Sequence, residues 1–195
     1  MAKKTIGSLN VGDIVKLNEN GVPVEYLVVH QGNPDSAMYD ASCDGTWLLR
    51  KYVYEPRQWH SSNSNSYAAS TIHSYLNNDI LGLLDAAVQS AIKHVKIPYH
   101  NNTGLYGQVD SGSNGLDAQV FLLGVYEVGF TQATVNYIPI DGACLDYFSD
   151  PDTSSNNRVA HIEGMEATVW WLRSLQTGTA VYAKAVDAVG WCTYD

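Results

Sequence analysis

The chain has 195 residues, of which 45% are hydrophobic and 16% charged, and its formal net charge is −9. This length and apolar fraction predict one domain over residues 1–195 with a real core, residues 1–10 forming an N-terminal extension. Lys and Arg are thinly scattered without a basic stripe, which argues against a nucleic-acid partner.

Other classes of protein are excluded by patterning. The sequence contains no run of 18 or more apolar residues, so no membrane span is predicted. A secretion signal requires an apolar core after its basic residues, and none follows Lys3 and Lys4. The three cysteines contain no CxxC pair, so we expect reduced thiols rather than a disulfide framework or a zinc ribbon.

The elements of the first half are predicted by alternation and capping residues. With 13 Tyr, five Trp and 16 Gly, the composition favours a β-rich or α+β domain. Ser70 is placed to cap a helix over 71–77, and Asp85 a second helix over 86–92. Predicted strands are Asp13–Leu17, Val24–His30, Thr46–Tyr54 and Val95–Ile97, the first two joined by a turn at Asn18–Gly21.

The second half is predicted to hold further strands and two exposed loops. The loops are residues 101–115 and 150–157, and a helical turn is expected over 144–148. Predicted strands are Gln119–Leu123, Val169–Ser174, Ala180–Val186 and Trp191–Tyr194, the last two joined by a hairpin turn at 187–190. The predicted fold class is α+β, mainly antiparallel, with two short helices and long loops.

Candidate catalytic and metal-binding patterns are incomplete. His161-Ile162-Glu163 has the H-x-E spacing of zinc deaminases but lacks their P-C-x-x-C partner. Asp150 and Asp152 begin a calcium-loop pattern that no glycine or glutamate completes. We therefore expect no catalytic residues, no metal and no cofactor.

Arg173 lies in the apolar strand Trp170-Trp171-Leu172-Arg173-Ser174. A buried guanidinium without a partner is too costly, so Arg173 is predicted to pair with a carboxylate or with backbone carbonyls. We interpret it as a structural clamp.

Several short motifs occur in one order along the chain and carry a resemblance. Together they resemble a family of uncharacterised domains from gut bacteria and their phages, marked by a "WWLRS" strand near the C-terminus. The resemblance covers roughly Ile6 to Gly190. The motifs are Trp47-Leu48-Leu49, Trp59 with Ser62-Asn63, Ser70-Thr71-Ile72 with Tyr75-Leu76-Asn77, Val120-Phe121-Leu122-Leu123 with Glu127, and Trp170 to Ser174.

That family looks like the C-type-lectin fold used by variable proteins of diversity-generating retroelements. The resemblance implies a display segment over residues 175–195 that contacts a ligand, supported by a platform of Trp170, Trp171 and Arg173. Strand alternation places Tyr182 and Lys184 together, facing solvent or a partner. The candidate ligand-binding residues are Gln176, Thr177, Tyr182, Lys184, Asp187, Trp191, Thr193 and Tyr194.

The chain departs from the family pattern near this segment, since Leu175 stands where proline usually follows WWLRS. The sequence predicts a non-enzymatic receptor-binding domain, a phage or prophage tail protein on the virion surface or a protein of the bacterial cell surface. Its expected partners are a bacterial surface protein or glycan receptor, other virion or tail subunits, and further copies of itself. A structural virion or cell-surface assembly module, and an enzyme acting on surface glycans, remain as alternatives.

Overall fold

An antiparallel sheet forms the N-terminal part of the protein. The structure, a computed structural model, describes residues 5–62, 64–101, 108–135, 138–151, 154–176, 178 and 181–195. Asn20 and Gly21 connect the first two strands with φ of 50° and 79°, the left-handed geometry of a tight hairpin. The strands are β1 (Ile14–Glu19), β2 (Val22–Gly32) and β3 (Gly45–Arg50), in the order β1-β2-β3.

Helical residues follow the long connection after β3. Ser70 Oγ accepts a hydrogen bond from His73 N at 3.1 Å, so the predicted N-cap is confirmed. Asp85 precedes a helix as predicted, but its side chain makes no capping bond and instead accepts from Asn18 Nδ2 at 2.9 Å. The helices are α1 (Thr71–Tyr75), continued by a π-helical turn (Leu76–Ile80), then α2 (Leu81–Leu83) and α3 (Ala86–Ala91).

Short strand pairs and turns make up the middle of the chain. β4 (Val95–Ile97) pairs with β7 (Leu116–Ala118), and the predicted helical turn near residue 146 is a 3-10 turn, Asp146–Phe148. The other elements are the pair β5 (Tyr99–His100) with β6 (Val109–Asp110), α4 (Gln132–Val135), α5 (Ser154–Asn157) and the pair β8 (Ala160–His161) with β9 (Ala167–Thr168).

The predicted strand Gln119–Leu123 is wrong. Among the described strands none pairs with this segment, because side chains satisfy much of its backbone. Asn77 Oδ1 accepts from the N–H groups of Gln119 and Val120 at 2.8 and 3.1 Å. Tyr67 Oη accepts from Leu122 N at 2.9 Å. The apolar run bends at residues 119 and 120 and joins no sheet in the described part of the chain.

Two predicted loops and one strand also differ in extent. Residues 154–157 of the second predicted loop form α5. In the first loop, 109–110 form β6, while 102–107 lie outside the described residues. The third predicted strand ends at Arg50, four residues early. Lys51 N still bonds to the carbonyl of Glu25 in β2, but Val53 N bonds to the carbonyl of His161 instead.

A second antiparallel sheet closes the chain. β10 (Trp170–Leu175), β11 (Ala183–Val186) and β12 (Cys192–Tyr194) pair in the order β10-β11-β12. Trp171 lies opposite Ala185, and Lys184 opposite Tyr194. The predicted hairpin between the last two strands is confirmed, and β12 is an edge strand.

The core lies between the two sheets and the connecting segments. It contains Val29 and Trp47 from the first sheet and Leu172 and Val186 from the second. The fold is therefore mixed α+β with mainly antiparallel strands, as predicted at that level. Among the described residues, no helix is long and apolar enough to span a membrane.

Candidate functional site

Arg173 of β10 is enclosed and uses all five guanidinium donors. It is 1% exposed and makes a two-pronged ion pair with Glu127, at 2.5 Å from Nη1 to Oε2 and 2.6 Å from Nη2 to Oε1. Nε donates to the carbonyl of Pro98, Nη1 to that of Leu122 and Nη2 to that of Asp141, at 2.9, 3.0 and 2.9 Å. The predicted pairing with a carboxylate and backbone carbonyls is confirmed.

The ion pair keeps Arg173 charged in the core. Burial by itself lowers the pKa of Arg173, but the Glu127 carboxylate more than reverses this, so the pKa stands above its ordinary value. A bidentate guanidinium–carboxylate pair is the strongest such contact available to a buried charge.

Further polar side chains surround this ion pair. Tyr39 Oη donates to Glu127 Oε1 at 2.5 Å, and Ser174 Oγ donates to Asp141 Oδ2 at 2.5 Å. Burial raises the pKa of Asp141, against the opposing effect of Arg173. We call the following residues the buried polar cluster, each at most 2% exposed: Tyr39, His100, Glu127, Asp141, Arg173 and Ser174.

The buried polar cluster cross-links segments that are far apart in the chain. It joins β10 to residues near positions 39, 98, 124 and 141. Because its members are closed to solvent, a ligand does not reach them in this conformation. The cluster therefore acts as a support beneath the second sheet.

Trp170 and Trp171 tie β10 to its neighbours through their indole N–H groups. Trp170 Nε1 donates to the carbonyl of Arg158 at 2.8 Å. Trp171 Nε1 donates to the carbonyl of Arg57 at 3.0 Å. Both side chains are half-buried, a geometry that suits the platform role predicted for them.

Lys184 does not face solvent, and that prediction is wrong. Its side chain is 6% exposed, and burial lowers its pKa. The long apolar stem covers the sheet, and Nζ lies 5.3 Å from the centre of the Tyr194 ring. Alternation alone missed this because both faces of β11 are covered: Ala183, Ala185 and Val186 are also buried.

Large apolar side chains are exposed on the hairpin formed by β11, β12 and their flanks. The exposed fractions are 70% for Trp191, 64% for Val189, 54% for Tyr194 and 42% for Tyr182. The rings of Tyr182 and Tyr194 are in contact, with centroids 5.4 Å apart. We call these four residues the aromatic hairpin surface. Exposure of Tyr182, Trp191 and Tyr194 is confirmed, while Val189 was not among the predicted residues.

The turn that carries Trp191 is held by backbone and side-chain bonds. Asp187 Oδ1 accepts from Val189 N and Trp191 N at 3.0 and 2.8 Å, so this predicted ligand-binding residue shapes the turn. Gly190 has φ of 86°, its carbonyl accepts from Arg158 Nε at 2.9 Å, and a Cβ there would collide with the carbonyl of Ser155. The turn is therefore packed against Ser155 of α5 and bonded to Arg158, the residue that follows this helix.

The other predicted binding residues lie around this hairpin. Gln176 is half-buried, and its N–H donates to the carbonyl of Tyr182 at 3.0 Å. Thr193 is half-buried in β12, and Thr177 lies outside the described residues. Among the described residues, no group of three or more His, Cys, Asp or Glu is placed to hold a metal ion.

Comparison with known families places the chain. Residues 44–195 match the family described as a domain of unknown function, DUF6273. The match spans most of the chain, from the residue before β3 to the end of the second sheet, so the chain belongs to this family. No curated protein and no solved structure matches the chain.

Proposed function

We propose that the protein is a non-enzymatic binding domain with a C-type-lectin-like fold. Its aromatic hairpin surface engages a receptor on a bacterial surface, and the domain is displayed on a phage virion or on a bacterial cell. The observation that carries the proposal is the concentration of Tyr182, Val189, Trp191 and Tyr194 as exposed side chains on one short hairpin.

Exposed aromatic residues are the side chains that most often dominate binding energy. Trp and Tyr bring large, amphipathic contact areas and few rotatable bonds. Trp191 at 70% exposure gains most from being covered. Exposed apolar side chains grouped on one hairpin, two of them in ring contact, are typical of an interaction site.

The hairpin supports these side chains in a defined geometry. Asp187 and Arg158 fix the turn, and the buried polar cluster anchors β10 against the rest of the fold. A preformed surface loses less conformational entropy on association than a flexible one. This arrangement favours recognition by a prepared surface.

The test uses alanine substitutions at single exposed positions. We expect Trp191→Ala and Tyr194→Ala each to weaken attachment to receptor-bearing cells by about 30-fold, the equivalent of about 2 kcal/mol. Tyr182→Ala is a third variant, and Tyr54→Ala is its matched control. Both tyrosines are 42% exposed, and only Tyr182 lies on the hairpin. Unchanged attachment by folded Trp191→Ala and Tyr194→Ala variants would contradict the proposal.

An assembly module is the second candidate, since the same exposed surface also suits burial between subunits. In that case the wild-type protein forms a stable oligomer at micromolar concentration, and Trp191→Ala dissociates it. Sedimentation measurements of both proteins distinguish assembly from receptor binding.

A further inference from the structure

A groove lies between the loop after β3 and the second sheet. Residues 56–62 and Ser64 form one wall, and the other includes Trp171, Val181, Ala183 and Asp195. Its volume of about 650 Å³ falls within the roughly 300–1,000 Å³ of small-ligand sites.

The groove is separate from the aromatic hairpin surface. Trp171 lies opposite Ala185, and Ala183 is on the same face because side chains alternate along a strand. Tyr182 and Tyr194 belong to the other face, together with Lys184. Neither tyrosine lines the groove.

Aromatic and neutral polar side chains make up half of the residues that line the groove. The half-buried indole of Trp171 offers an aromatic surface, and Ser61, Ser62 and Gln58 offer hydroxyl and amide groups that both donate and accept hydrogen bonds. The groove thus combines an apolar platform with neutral hydrogen-bonding groups.

Charge argues against an anionic ligand. Among the described lining residues, the basic side chains are Arg57 and His60, and Asp195 is acidic. The guanidinium of Arg57 is already paired with Glu55 at 2.7 Å and stacked over the Tyr75 ring at 3.4 Å. The Glu55 carboxylate offsets the charge of this guanidinium, so a phosphate or carboxylate would meet little net positive charge there.

Hydrogen bonds across the groove hold its two walls together. Trp171 Nε1 donates to the carbonyl of Arg57 at 3.0 Å, and Trp59 Nε1 donates to the carbonyl of Leu172 at 3.3 Å. The loop is therefore attached to β10 on both sides, and the groove is formed before any ligand arrives.

From these observations we infer that the groove binds a neutral saccharide unit. A sugar ring presents C–H groups that pack on an aromatic face, and its hydroxyls pair with serine and amide side chains. This site is independent of the receptor proposed for the aromatic hairpin surface.

The experiment titrates the intact protein with neutral monosaccharides, N-acetylhexosamines and short neutral oligosaccharides. Binding is followed by calorimetry and by tryptophan fluorescence, up to about 10 mM sugar, ten times a Kd of about 1 mM. We expect at least one sugar to bind, and Trp171→Ala to weaken it by about tenfold or more. Because Trp171 also supports the fold, a double variant, Gln58→Ala with Ser61→Ala, tests the polar side chains of the loop separately and should weaken binding several-fold.

Trp191→Ala is the matched control, since it removes a tryptophan outside the groove and should leave sugar affinity unchanged. Conversely, the Gln58→Ala, Ser61→Ala variant should leave cell attachment unchanged, so the two proposals fail separately. The inference is overturned if no sugar binds, if binding is insensitive to the loop variant, or if the groove binds only peptides from a peptide library.

Discussion

Replacing Arg173 with methionine tests whether the buried polar cluster supports the second sheet. Methionine fills much of the same volume but leaves the Glu127 carboxylate buried without its counter-charge. It also removes the donors that now serve three backbone carbonyls.

The expected loss of stability is large. Removing one partner of a fully buried ion pair costs about 3–5 kcal/mol, and Arg173 and Glu127 are both 0% exposed at their side chains. A domain of this size has a total stability of about 5–15 kcal/mol. Arg173→Met is therefore expected to remove about 4 kcal/mol of the free energy of unfolding.

Urea unfolding followed by tryptophan fluorescence measures this change. Lys51→Met, which breaks the exposed pair of Lys51 with Glu25, is the control and should leave the midpoint nearly unchanged. Combining Arg173→Met with Glu127→Gln should cost less than the sum of the single changes, because the uncompensated charge is gone. A loss below about 1 kcal/mol in Arg173→Met would refute the reasoning.

The other predictions concern the same support and the turn. Tyr39→Phe removes the hydroxyl that donates to Glu127 and should lower the free energy of unfolding by about 1–3 kcal/mol, measured in urea. Burial lowers the pKa of His100 from its usual 6.5, so the unfolded chain binds its proton first and stability falls as pH drops below 6.5. Urea midpoints of the wild type and of His100→Gln are measured from pH 7 to pH 5. The variant should lose the part of the decrease in stability that protonation of His100 causes, and identical pH profiles for the two proteins would contradict the assignment. Gly190→Ala places a Cβ against the Ser155 carbonyl at a positive φ, so we expect a loss of about 1–3 kcal/mol and weaker cell attachment, and wild-type values for both would show that the turn is not fixed there.

Local chemistry explains which elements could be predicted. Asn20 and Gly21 suit the left-handed turn of a hairpin, and Ser70 suits a helix cap, so both features followed from residue type. The apolar segment 119–123 misled the prediction because its backbone bonds to the side chains of Asn77 and Tyr67. No periodicity within the segment reveals a partner more than 40 residues away.

The candidate site shows the same division. Alternation along β11 places Tyr182 correctly, but Lys184 is buried because packing covers both faces of the central strand. Arg173 could be predicted to need a partner, since an unpaired buried charge is too costly. That the partner is Glu127, 46 positions away, was decided by the folded chain.

By itself the sequence determined the α+β class, the two hairpins, the capped helix and the need to neutralise a buried arginine, because each depends on residue type and near neighbours. The tertiary structure decided the exposure of Val189, the burial of Lys184 and the groove beside Trp171. Each of these depends on which distant segments cover a side chain, and that is a property of packing.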